Sequence, residues 1–90
     1  MSSESFSRLV DCTRYVILYA PDSFPADTNM DLERAFADLR RGLNDSKPEV
    51  GQHFDEIARL LDEAFDDYRR TDTRSGIKRL QEIDLILRQT

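Results

Sequence analysis

The sequence predicts an all-α fold, a small four-helix bundle with mostly antiparallel neighbouring helices. Four stretches carry apolar residues at alternating spacings of three and four, the repeat of one helical face. Only three Gly and three Pro occur in 90 residues, and they fall between those stretches or near their ends. The one strand-like run, Tyr15 to Tyr19, has no convincing second strand to pair with. The length suits one domain over residues 1–90 with a single modest core.

The first helix is expected over 3–20, capped by Ser3 or Ser5 and stopped before Pro21. Phe6, Leu9, Val10, Thr13, Val16, Ile17 and Ala20 share one face, while Cys12, Tyr15 and Tyr19 lie opposite and Leu18 falls between. Its C-terminal half is apolar nearly all round, so it is either central in the bundle or covered by another chain. A connector follows, stiffened by Pro21 and Pro25. Its Phe24 either tucks onto the core or serves as an exposed anchor.

The second helix is expected over 28–41, beginning after Thr28 or Asn29, with Leu32, Ala35, Phe36 and Leu39 inward. Gly42 reads as its left-handed stop, with Leu43 folding back. Ser46-Lys-Pro-Glu49 then reads as a capping box with proline in the first turn. It opens a long third helix over 47–70, where Val50, Phe54, Ile57, Leu61, Ala64 and Tyr68 form the stripe and Leu60 and Phe65 widen it. Gly51 is expected only to weaken the first turns. After a break at 71–76, a fourth helix over 74–88 turns Ile77, Leu80, Ile83, Ile86 and Leu87 inward and leaves Leu85 over. Leu32–Arg41 and Leu61–Arg70 echo one another, which two amphipathic helices ending in dipole-compensating arginine pairs explain.

Eighteen acids against thirteen bases give −5, and phosphate recognition needs clustered Lys and Arg, so nucleic acid is not an expected ligand. One cysteine, Cys12, allows no internal disulfide and suits a reducing compartment. The N-terminus lacks the basic and apolar regions of a signal peptide. The longest apolar run, Val16 to Ala20, is far short of a membrane span. A soluble, cytoplasmic protein is expected.

No constellation points to catalysis. His53, the single histidine, sits at the edge of the third helix's stripe, and a carboxylate-bridged metal site would need a second. Cys12 has no evident activating base. The acids Asp55, Glu56, Asp62, Glu63, Asp66 and Asp67 form hydrated ridges on the third helix, with Arg59 in their midst. Carboxylate catalysis would need a cleft that nothing in the pattern provides. No enzyme, no metal and no cofactor are therefore expected.

Protein binding is what remains. Residues 49–70 hold seven acids and three bases, −4 of the chain's −5. An acidic helix beside exposed aromatics would steer toward a basic partner and anchor on it. The expected contact residues are the six acids just named with Tyr15, Leu18, Tyr19 and Phe24. In overall profile the chain resembles the small acidic helical immunity proteins of bacterial nuclease toxins. That resemblance implies an immunity protein or antitoxin that occludes a toxin's cationic cleft. The alternative is a self-associating structural or adaptor domain, a homodimer through Cys12, Tyr15, Leu18 and Tyr19 with no toxin partner.

Overall fold

Each apolar stripe needs a facing stripe to leave water, and four helices closed into a ring supply one to every member. A computed structural model describes residues 3–20, 24 and 29–89. The helices are α1 (Ser3–Tyr19), α2 (Leu32–Asp45), the single turn α3 (Lys47–Val50), α4 (Phe54–Arg69) and α5 (Thr73–Gln89). α1 packs on α2 and α5, and α4 packs on α2 and most extensively on α5. The fold is thus an all-α bundle of four long helices.

Contacting pairs step in opposite directions along successive helices. On α4 and α5, Arg79 meets Glu63 and Asp67 while Gly76 faces Tyr68. On α2 and α4, Arg40 pairs with Asp62 while Phe36 meets Phe65 and Tyr68. Leu9 faces Gly42, and Cys12 and Asp38 line the same cleft one turn further along, which sets α1 antiparallel to α2. α1 and α5 close the ring, antiparallel in consequence. Leu9, Val16, Phe36, Leu39, Ile57, Leu61, Leu80, Ile83 and Leu87 fill the centre. Phe6, Val10, Ile17, Leu32, Phe54 and Phe65, also expected inside, pack around it half-buried. Thr13 is fully buried and directs its hydroxyl to the Leu9 carbonyl at 2.8 Å. That bond satisfies the group inside the helix.

Several expected boundaries are corrected. α2 begins at Leu32, not 28, because Asp31 is the cap. The Asp31 side chain accepts from the Arg34 N–H at 2.8 Å. Thr28 and the connector 21–23 and 25–27 lie outside the described residues. Gly42 does not stop α2, which runs on to Asp45; the glycine lies within the helix where it passes Leu9. The expected third helix is broken. Gly51 adopts φ +52, and a 3₁₀ turn over Gly51–His53 separates α3 from α4. That left-handed conformation is open to glycine at no steric cost. Pro48 does occupy the first turn of α3, but the capping box does not form. Ser46 makes no side-chain cap, and neither its buried Oγ nor Glu49 Oε1 bonds to any described residue.

α4 ends in a Schellman motif. The Thr71 N–H donates to the Tyr68 carbonyl at 3.0 Å, and the Asp72 N–H to the Asp67 carbonyl at 2.8 Å. The left-handed residue is Thr71, at φ 62, where glycine is usual. Asp72 also starts α5, its carbonyl accepting from the Gly76 N–H at 3.1 Å. Gly76 is a buried residue within α5.

Candidate functional site

The acids of α4 do not form a free ridge. Asp62 pairs with Arg40 of α2, and Asp66 with Arg70 at 2.5 Å. Glu63 accepts from Arg79 of α5 at 2.8 Å and lies 3.9 Å from Arg59. Asp67, expected on the solvent side, is only 5% exposed and receives Arg79 Nε at 2.6 Å. The cause is geometric: Tyr68 packs its ring against Gly76 of α5, and the adjacent Asp67 is carried into the same seam. The Arg79 guanidinium is held further into its charged form by its bond to Asp67, against a desolvation cost, and by the charges of Asp67, Glu63 and Glu82. Asp55 and Glu56, exposed in the first turn of α4, have no ion-pair partner among the described residues. They complement the positive end of the helix dipole.

The expected aromatic anchors close on one another. Tyr15 and Tyr19 rings lie 4.7 Å apart, and Phe24 stacks on Tyr15 at 5.9 Å. Such tilted and offset arrangements are the favourable ones for ring pairs. All three are half-buried, and Tyr15 and Phe24 pack against the core, so Phe24 tucks back. Cys12 is half-buried beside α2, where burial and the charge of Asp38 push its thiol up to about 11. It is a poor nucleophile at neutral pH. His53 is half-buried in the 3₁₀ turn. Among the described residues, no group of three or more His, Cys, Asp or Glu is arranged to hold a metal ion.

What stays open is the seam between α1 and α5. Leu18 is 72% exposed and Leu85 55%, the exposed large hydrophobics among the described residues. Both line one shallow groove of about 550 Å³, together with Arg14, Ile17, Gln81, Asp84 and Arg88. Asp84, 8% exposed, forms the polar floor: Arg14 Nε donates to its Oδ1 at 3.3 Å, and Arg88 Nη2 reaches its Oδ2 at 2.9 Å. One carboxylate thus orients two arginines beside two exposed leucines. Guanidiniums oriented in this way beside apolar side chains can grip a protein segment.

Of the expected contact residues, the structure leaves Leu18, Asp55 and Glu56 open, and it ties Asp62, Glu63, Asp66 and Asp67 into ion pairs. Arg14, Asp84 and Arg88 are absent from the sequence-based expectation. Their Asp84–Arg88 spacing of four is a legible signal, whereas the crossing from Arg14 is not. Among the described residues, no helix is long and apolar enough to cross a membrane. No family model, curated protein or solved structure matches the chain.

Proposed function

We propose that this chain is a small, non-catalytic protein-binding domain that acts by occluding its partner, in its most specific form an immunity protein or antitoxin. The observation that carries the proposal is the pairing of Leu18 and Leu85 across one groove, with arginines held in place beside them. Apolar side chains left in water on a rigid scaffold, next to oriented arginines, are what a buried contact centre needs. The groove thereby replaces the α4 ridge as the proposed anchor, because most of that ridge is already neutralised within the chain. A basic patch on the partner would meet Asp55 and Glu56 at the start of α4. The half-buried free thiol of Cys12 accords with a cytosolic setting.

The test is to co-express the chain with the product of the adjacent open reading frame. A 1:1 complex by light scattering and relief of that product's toxicity are expected, and both should be lost in Leu18→Glu/Leu85→Glu. An adjacent product that neither binds nor harms the cell would refute the antitoxin form. The exposure of Leu18 also favours a second reading, self-association through α1. In that case the purified chain is a dimer, and Leu18→Glu makes it monomeric.

A further inference from the structure

We infer that the α1/α5 groove receives an acidic amphipathic helix of the partner, its apolar residues on Leu18 and Leu85 and its carboxylates on Arg14 and Arg88. The inference rests on the protein-binding proposal and adds the chemistry of the bound element. The groove is cationic where it faces water, although the chain as a whole is −5. Its one lining carboxylate, Asp84, is buried, while the Arg14 and Arg88 side chains are about half exposed, at 50% and 59%. Two cations against one anion leave a local surplus of +1 among the lining residues. Arg14 uses Nε on Asp84, so its two Nη groups have no ion-pair partner among the described residues. A guanidinium held in this way offers a fixed fork to a second carboxylate, at little further ordering cost.

Geometry favours a helix as the occupant. Two antiparallel helices leave a groove into which a third fits through residues at i, i+3, i+4 and i+7. A second copy of this chain seated groove to groove is disfavoured, since a two-fold contact would set two surfaces of the same positive surplus against one another. An anionic membrane would repel a chain of −5 and gain only two leucines.

The experiment is selection of helical peptides from an unbiased phage-displayed library on the immobilised full chain. Enriched sequences should carry apolar residues at helical spacing flanked by Asp or Glu. Their affinity should fall at least about tenfold on Leu18→Glu/Leu85→Glu, and similarly on Arg14→Gln/Arg88→Gln. Circular dichroism checks that each variant is folded. If the arginine variant is not, the same electrostatic contribution is read on the wild-type chain, where added salt should weaken acidic peptides more than neutral ones. Enrichment of basic peptides, binding indifferent to Leu18→Glu/Leu85→Glu, no enrichment at all, or a homodimer occupying the groove would each overturn the inference. A failed selection alongside an intact 1:1 complex with the adjacent gene product would remove the helix and leave the protein-binding proposal standing. Loss of both would remove both.

Discussion

Gly76→Ala should destabilise this protein, although the same change in most helices is favourable. In a helix interior alanine is better than glycine by about 1 kcal/mol. Here the new Cβ would lie 2.8, 2.9 and 3.0 Å from Cε2, Cδ2 and Cζ of the Tyr68 ring. Those are ring atoms, not the end of a flexible chain. Tyr68 is 3% exposed and its ring centroid is 5.9 Å from that of Phe36, so it cannot swing away without disturbing the core. Overpacking of this kind costs about 1–3 kcal/mol, and three simultaneous ring contacts place this case in the upper half of that range. After the propensity gain, the net loss should be about 1–2 kcal/mol, a fall in Tm of roughly 5–15 °C for a domain of this size. Thermal and urea unfolding followed by circular dichroism measure it. In a Tyr68→Leu background the obstructing ring is gone, and Gly76→Ala should become neutral or stabilising. A Gly76→Ala protein as stable as wild type in the Tyr68 background would refute the close-approach reasoning.

Thr71→Gly should stabilise by about 1 kcal/mol, because glycine takes the left-handed conformation freely and a β-branched residue does not, less the greater unfolded-chain entropy of glycine. Thr71→Asn should fall between the two in urea titrations, and a Gly variant weaker than wild type would count against the strained cap. Stability should hold up to about pH 9 and then decline. Burial raises Cys12 from 9.0 to about 11 and Tyr68 from 10.0 to about 12, so the folded state holds both protons more tightly. That advantage is complete below the unfolded values and disappears as pH rises through the folded ones. Tyr68→Phe should flatten the upper part of that decline. It should also raise stability at neutral pH by about 1 kcal/mol, since the buried Tyr68 hydroxyl bonds to no described residue. Finally, Cys12 should react with an alkylating agent at pH 8 far more slowly than a free cysteine, and match it once urea unfolds the chain.

Helix identity is legible in the sequence because it depends on spacing alone: the stripes of Leu32 to Leu39 and of Ile77 to Leu87 are the faces found buried or half-buried. Helix ends are less so, because they depend on which side chain wins a local competition. Asp31 takes the cap expected at Thr28 or Asn29. Gly42 reads as a stop because glycine permits one, yet the α1 packing at Leu9 is compatible with continued helix there. Gly51, a minor weakness by propensity, is where the left-handed turn occurs.

The sequence by itself determined the all-α class, the four amphipathic faces and most of the core, because hydrophobic periodicity is a property of each segment alone. It also marked Leu18 and Leu85 as apolar residues without a face. Only the tertiary structure decided that these two share one groove, and that Arg14 from α1 and Arg88 from α5 both lean on Asp84. It likewise decided that Asp62, Glu63 and Asp67, which look like part of an open charge array in the sequence, are matched by Arg40 and Arg79 from other helices. Ion pairs between helices depend on the register and rotation of one against another. Those are set by how the four stripes pack together, which no single stripe records.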